Sequence, residues 1–169
     1  MSYLFLAIIS LLIVAADQFS KYLVVSAMNE GETATVLRGV LELHYVRNSG
    51  MAWSMLSDSR WLLVILSLVF FAALGVMVWK KIFTEKFELI CLAAIVGGGA
   101  GNLIDRIFFG SVTDMLRVPL FDNKIIGTFP VFNVADCFVT VGCAALIVYL
   151  IFFDRKKKPL SEDDHETTE

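Results

Sequence analysis

Four long apolar segments constrain this chain more than any other feature of its sequence. They run from Tyr3 to Val25, from Trp61 to Trp79, from Phe87 to about Phe109 and from Asn133 to Phe153. A helix rises about 1.5 Å per residue, so segments of about 20 residues match the roughly 30 Å of hydrocarbon in a bilayer. The hydrophobic fraction of 57% and the mean hydropathy of +0.74 also exceed the values of an ordinary soluble domain. The sequence therefore predicts an all-α membrane protein, a bundle of four transmembrane helices.

The connection between the first two segments, Met28 to Arg60, is more polar than they are. Within it, Leu41-Glu-Leu-His-Tyr45 alternates apolar and polar residues, which is the period of a β-strand. We therefore predict a small extracytoplasmic β element. The four segments leave little chain for a second domain, so we expect one transmembrane domain over residues 1–158. The acidic stretch 159–169 has almost no apolar residues and is predicted to be a disordered cytoplasmic tail.

Basic residues predict the orientation of the bundle. Lys and Arg are concentrated in short cytoplasmic loops of membrane proteins. In this chain they crowd two short segments, 80–86 and 155–158, whereas the connections 28–60 and 110–132 carry few of them for their length. Both termini should therefore be cytoplasmic, and both long connections should lie on the extracytoplasmic side.

Several polar residues lie in or beside the apolar segments. Asp17 and Lys21 are one helical turn apart, and Asn102, Asp105 and Arg106 share one face of the third helix. An ionisable side chain at the centre of a bilayer costs about 2.5–3.5 kcal/mol on insertion scales, so each requires a reason. Asp17 and Lys21 could be a salt bridge at the membrane boundary or part of a functional site. For Asp105 and Arg106 a buried structural network is favoured over proton transfer.

Two further acids are predicted to meet at the outer end of the bundle. Asp114 follows the third helix, and Asn133-Val-Ala-Asp136 opens the fourth. Two close carboxylates in a poorly solvated site share one proton, so that one can act as a base and the other as an acid, as in aspartic proteases. In the alternative interpretation, Asn133 only caps the fourth helix, Asp136 faces the positive end of the helix dipole and Asp114 ends a turn. The residues alone leave both interpretations open.

No cofactor or metal is predicted. The glycines of Gly97-Gly-Gly-Ala-Gly101 lie within an apolar segment, lack the dinucleotide-binding fingerprint and are expected to let another helix approach closely. The three cysteines, Cys91, Cys137 and Cys143, form no pattern of zinc ligands and no outer pair for a thiol oxidase. We also expect no nucleic-acid partner. A noncatalytic transporter or assembly subunit remains as the second hypothesis, in which the polar face lines a path or binds a helix.

Five sequence motifs follow one another along the chain, from residue 17 to residue 136. They are Asp17-Gln-x-Ser-Lys21, Asn48-x-Gly-x-Ala52, Gly98-Gly-Ala-Gly-Asn102 with Asp105-Arg106, Val112-x-Asp114 and Phe132-Asn-x-Ala-Asp136. In these motifs the chain resembles lipoprotein signal peptidase, also called signal peptidase II, a family of bacterial membrane aspartic peptidases.

The resemblance implies a function and a set of site residues. It implies removal of the signal peptide from diacylglyceryl-modified prolipoproteins, by cleavage before the lipidated cysteine at the extracytoplasmic surface of the bacterial inner membrane. Asp114 and Asp136 would be the catalytic dyad. Residues that would support the site or position substrate are Asp17, Lys21, Asn48, Asn102, Arg106 and Asn133. Membrane lipid and globomycin-type inhibitors are the further partners that the resemblance implies.

Overall fold

The computed structural model describes residues 3–50, 59–122 and 128–153. Its four long helices are α1 (Tyr3–Ala27), α2 (Arg60–Trp79), α3 (Lys86–Phe109) and α4 (Val134–Phe152). All four are long and apolar enough to cross a membrane. The predicted four-helix membrane bundle is therefore confirmed. The proposed acidic tail, 159–169, lies outside the described residues.

Helix α3 is the central helix of the bundle. Of its most apolar stretch 61% is buried, against 11–17% for the other three helices. Close approach explains its glycines: a Cβ atom on Gly98 would lie 2.5 Å from the carbonyl oxygen of Ala135 in α4, and one on Gly97 would lie 2.9 Å from that of Ser10 in α1. Larger residues at these positions would push α1 and α4 away from α3. The glycines therefore bring three helices close enough for their polar side chains to meet.

A three-stranded antiparallel sheet covers one end of the bundle, which we call the sheet end. Its strands are β1 (Thr33–Leu37), β2 (Leu41–Asn48) and β3 (Val112–Arg117), in the order β1-β2-β3. The alternation in Leu41–Tyr45 predicted only part of β2. The other two strands were missed, because β1 is exposed at every position and the first four residues of β3 are all buried, so neither alternates.

The start of β3 determines where Asp114 lies. Gly110 caps the end of α3 in the left-handed conformation, with φ of 81°, that glycine tolerates best. The chain then turns directly into β3, where Asp114 lies opposite Val46 of β2. The alternative interpretation, in which Asp114 ends a turn, was therefore wrong: the residue belongs to a buried strand.

The described residues between β3 and α4, 118–122 and 128–133, line one side of the sheet end. They include a 3-10 turn, Pro119–Phe121, and a bridge back to β3 between Phe132 and Leu116. In the sequence, Asp122-Asn-Lys124 separates two apolar runs and predicts a hairpin or an interfacial loop, but it falls largely on residues 123–127, which are outside the described ranges.

Candidate active site

Asp114 and Asp136 lie on the wall of one cavity at the sheet end. The cavity has a volume of about 540 Å³, and its lining is mostly apolar and aromatic. Asp114 comes from β3 and is 3% exposed, whereas Asp136 comes from the first turn of α4 and is half-buried. The two acids that the sequence predicted to meet therefore share one poorly solvated site.

Asn133 connects the two carboxyl groups. Its side-chain Nδ2 donates to Oδ1 of Asp114 at 2.7 Å, and its backbone N–H donates to Oδ2 of Asp136 at 3.1 Å. The Asn133 Oδ1 atom in turn accepts from the backbone N–H of Asp136 at 2.9 Å, which completes a capping box at the start of α4. Helix capping and connection of the acids are thus performed by the same fully buried asparagine, so the two interpretations of this motif are compatible.

Two other asparagines hold the remaining carboxyl oxygens. Asn48, the last residue of β2, donates from Nδ2 to Oδ2 of Asp114 at 2.9 Å. Asn102 of α3 donates from Nδ2 to Oδ1 of Asp136 at 2.7 Å. Every carboxyl oxygen of the pair therefore accepts an N–H from an asparagine, and both groups have a defined orientation.

The environment of Asp114 changes its acidity. Burial raises its pKa from 3.8 to about 7, and the nearby carboxylate of Asp136 contributes in the same direction. Hydrogen bonds from Asn48 and Asn133, together with the charge of Lys21, oppose the shift but do not cancel it. Asp114 can consequently gain or lose a proton near neutral pH, which is what general acid–base catalysis requires.

Beneath the two acids lies a buried ionic network. Lys21 forms ion pairs with Asp17 at 2.8 Å and with Asp105 at 3.2 Å, and it donates to Oδ1 of Asn102 at 2.9 Å. The predicted pairing of Asp17 with Lys21 is confirmed. The pair does not lie on the helix surface, however, because the two residues are only 0% and 4% exposed. Close packing against α3 covers the pair, because Gly101 leaves space for the Asp17 carboxylate.

Arg106 lies between two cavities. Besides the cavity of about 540 Å³, it lines a second one of about 350 Å³ between α2, α3 and α4, and Asp136 also lines both. Its guanidinium donates to the backbone carbonyl of Gly50 at 3.2 Å. The arginine therefore connects the chain just after β2 to the polar face of α3.

Sequence reasoning missed several residues around the site. Gln18 donates to Asp105 at 2.9 Å and to the carbonyl of Gly101 at 3.1 Å. Arg117 forms an ion pair with Asp122 at 2.8 Å, and Asp122 also accepts the backbone N–H of Phe129 at 2.8 Å. Gln18 could have been found from its position inside the first motif. No spacing in the sequence indicates the contacts of Asp122 with Arg117 and Phe129, because these residues meet only when β3 and the following loop fold against each other.

Comparison with known proteins decides the family. The sequence model of signal peptidase II matches residues 9–152. The chain belongs to the signal peptidase II family. Members of this family remove the signal peptide from prolipoproteins, and the protein is accordingly an aspartic peptidase with four membrane-capable helices.

Individual relatives agree with the family assignment. The lipoprotein signal peptidase of Anoxybacillus flavithermus (strain DSM 21510 / WK1) is 34% identical over 167 residues, which cover 99% of this chain and 95% of the relative. A bacterial membrane enzyme solved by the in meso method at 2.3 Å resolution is 29% identical with a TM-score of 0.78, and the match covers 95% of this chain and 93% of that one. A second such structure, at 1.9 Å resolution, is 30% identical with a TM-score of 0.74 over 86% and 92% of the two chains.

Nearly all the residues singled out in the sequence converge at the peptidase's sheet end. Those in hydrogen-bonded or ionic contact with one another are Asp17, Lys21, Asn48, Asn102, Asp105, Arg106, Asn133, Asp114 and Asp136. Gly97 lies against Ser10, where it allows close packing of α1 and α3. The motif residue Ala52, with Trp53 and Ser54 after it, falls outside the described ranges.

Proposed function

We propose that Asp114 and Asp136 are the catalytic dyad of this peptidase. We further propose that its substrate is a diacylglyceryl-modified prolipoprotein, cleaved immediately before the lipidated cysteine. The observation that carries the dyad assignment is the double hydrogen bonding by Asn133, which links one oxygen of Asp114 to one oxygen of Asp136 at 2.7 Å and 3.1 Å. This link keeps the acids at one cavity, where a water molecule and a peptide bond can reach both.

The dyad works with one proton shared between its two carboxyl groups. The ionised carboxylate takes a proton from water as the water oxygen attacks the scissile carbonyl carbon, while the protonated partner donates its proton to the carbonyl oxygen. As the resulting diol collapses, the C–N bond breaks, one diol hydroxyl gives its proton to the ionised carboxylate of the dyad, and the protonated carboxyl group gives its proton to the departing nitrogen. The products are a carboxylic acid on the signal peptide and a free amino group on the cysteine, and the dyad again holds one proton.

The shape of the site supports a lipid-modified substrate. Two largely apolar cavities, of about 540 and 350 Å³, meet at Asp136 and Arg106. A diacylated precursor has apolar groups on both sides of its scissile bond: the signal helix precedes the bond and the acyl chains hang from the residue that follows it. Two apolar spaces on either side of one acid match this chemistry better than they match an ordinary polar peptide.

The charge distribution supports an extracytoplasmic site in the bacterial inner membrane. Lys80 and Lys81 follow α2 and Lys86 begins α3, at the end of the bundle opposite Asp114. Because basic loops stay in the cytoplasm, the sheet end would face outward and both termini inward. Membrane lipid would contact the exposed apolar faces of the helices, and globomycin-type inhibitors would compete with substrate for the cavities around the dyad.

Cleavage of matched precursors tests the proposed substrate. The purified protein in detergent is given a prolipoprotein with the diacylglyceryl group on its cysteine, and the same precursor without the lipid. We expect mass spectrometry to find only the lipidated precursor cut, with the lipidated cysteine as the new amino terminus, and we expect globomycin to block the reaction. Equal cleavage of the unmodified precursor, or cleavage at another bond, would contradict the proposal.

A further inference from the structure

We propose that Asp17, Lys21 and Asp105 form a clamp that fixes the separation of the two catalytic acids. The clamp acts on the backbone next to each acid, so its members are positioning residues rather than catalytic ones. The proposal rests on the assignment of Asp114 and Asp136 as the dyad, and it adds a role for the buried ionic network that the chemistry itself does not use.

Each acid of the clamp holds the residue that immediately precedes a catalytic acid. Oδ1 of Asp17 accepts the backbone N–H of Ala135 at 2.9 Å, and Ala135 precedes Asp136. Oδ2 of Asp105 accepts the backbone N–H of Thr113 at 2.9 Å, and Thr113 precedes Asp114. One carboxylate thus holds the start of α4 and the other holds β3, at equivalent positions one residue before each acid.

Lys21 joins the two halves of the clamp. Its ammonium group has three N–H bonds, and three acceptors surround it: Asp17 at 2.8 Å, Asp105 at 3.2 Å and Asn102 at 2.9 Å. The lysine is 4% exposed, and both carboxylate residues are at most 1% exposed. Gln18 forms a second bridge, because it donates to Asp17 at 3.2 Å and to Asp105 at 2.9 Å. The two carboxylates are therefore held together in a site from which water is largely excluded.

Breaking the clamp should alter the chemistry and not only the stability. Without Lys21, two buried carboxylates face each other without a cation between them, and their repulsion loosens both backbone contacts. The separation of Asp114 and Asp136 then becomes variable, so the acids share a proton less effectively. The charged and titratable groups around the dyad are Asp17 and Lys21 from α1, Asp105 and Arg106 from α3, and Cys137, which lines the cavity next to Asp136.

The chain offers a matched control at the other end of α3. Glu88 is also a buried carboxylate, with 1% exposure, and it also accepts backbone N–H groups, those of Thr84 at 2.8 Å and Glu85 at 2.9 Å. It caps the start of α3 and lies about five helical turns from Asp105. Substitution of Glu88 therefore measures what loss of a buried, backbone-holding carboxylate does when the catalytic acids are not involved.

The experiment measures kcat, KM and the pH dependence of cleavage for four purified variants. For Asp17→Asn and Asp105→Asn we expect kcat to fall about 100-fold with KM within about twofold, because small misplacement of reacting groups costs about that much. We also expect the upper limb of the pH profile to move about one unit toward acid, since weaker coupling lets the dyad lose its proton more easily. Lys21→Met should lose kcat similarly, whereas Glu88→Gln should lower the melting temperature and keep the kcat and pH profile of the unmodified protein.

Unchanged kcat and pH profile in the folded Asp17 and Asp105 variants would overturn the clamp, and so would an equal loss in Glu88→Gln. The two asparagine variants are isosteric, so they decide the question if Lys21→Met does not fold. Asp136→Asn is assayed alongside them. If that variant cleaves normally, the proposed function fails together with the clamp; if it is inactive while the clamp variants behave like the unmodified protein, only the clamp fails.

Discussion

Replacing Asp114 with Asn should make the stability of the peptidase less dependent on pH. The substitution keeps the size of the side chain and removes its titration. Burial raises the pKa of Asp114 from 3.8 to about 7, so the folded state holds this proton more tightly than the unfolded state does. The resulting contribution to stability is complete below pH 3.8 and is lost as pH rises through about 7.

The magnitude follows from the size of the shift. A difference of about three pH units between the folded and unfolded pKa corresponds to about 4 kcal/mol in total, of which about 3 kcal/mol is lost between pH 5 and pH 8. The substitution also lowers the stability of the variant at every pH by disturbing hydrogen bonds, because both carboxyl oxygens of Asp114 accept N–H groups, from Asn48 and Asn133. In the Asp114→Asn variant, the new amide nitrogen would face one of these donors, at a cost of about 1–3 kcal/mol. The variant should therefore be less stable than the unmodified protein at pH 5, and the difference should vanish or reverse by pH 8.

Thermal unfolding in detergent at the two pH values tests this expectation. About 1 kcal/mol corresponds to a shift of about 2–4 °C in melting temperature for a chain of this size. The difference in melting temperature between the variant and the unmodified protein should therefore change by about 6–12 °C from pH 5 to pH 8. Comparison with the unmodified protein removes the effects of the other titrating groups to first order. A gap of the same size at both pH values would refute the argument that Asp114 is held in a site that resists its ionisation.

Three other predictions concern the dyad, the helix packing and the chemistry. Because Asp114 loses its proton near pH 7, kcat/KM should fall about tenfold per unit above that pH, and a flat profile from pH 6 to pH 9 would argue against a shared proton. Gly98→Ala should lower stability by about 1–3 kcal/mol, since the new methyl would lie 2.5 Å from the Ala135 carbonyl, whereas Gly75→Ala, with nothing within 4 Å, should be neutral or slightly stabilising in thermal unfolding. Two carboxyl groups supply the acid and the base without a metal, so EDTA should leave cleavage intact, and a loss that added metal restores would contradict this.

The four helices and the meeting of the two acids could be predicted because they depend on local patterns. The length of the apolar segments predicts the four membrane-spanning helices. A single connection joins α3 to α4, so the region after α3 and the start of α4 lie at the same end of the bundle. Asn133 as a cap and Asp136 three residues later are likewise a local signature of a helix start. These features require no knowledge of which helices are neighbours.

The strand that carries Asp114 and the role of the ionic network could not be predicted in this way. The buried residues of β3 contact the bundle as well as β2, so the strand lacks the alternation by which strands are recognised. The contacts of Asp17 with Ala135 and of Arg117 with Asp122 depend on tertiary packing. Sequence spacing indicated that Asp17 and Lys21 could pair, but only the close approach of α1 to α3 buries them.

The most direct test of the proposed dyad is cleavage of a diacylated prolipoprotein by the purified Asp114→Asn and Asp136→Asn variants. Circular dichroism and size-exclusion chromatography in detergent establish that each variant is folded. We predict that both variants lose cleavage by a factor of at least about 1,000, because each carboxyl group supplies one half of the proton transfer. Near-normal cleavage by either folded variant would contradict the assignment.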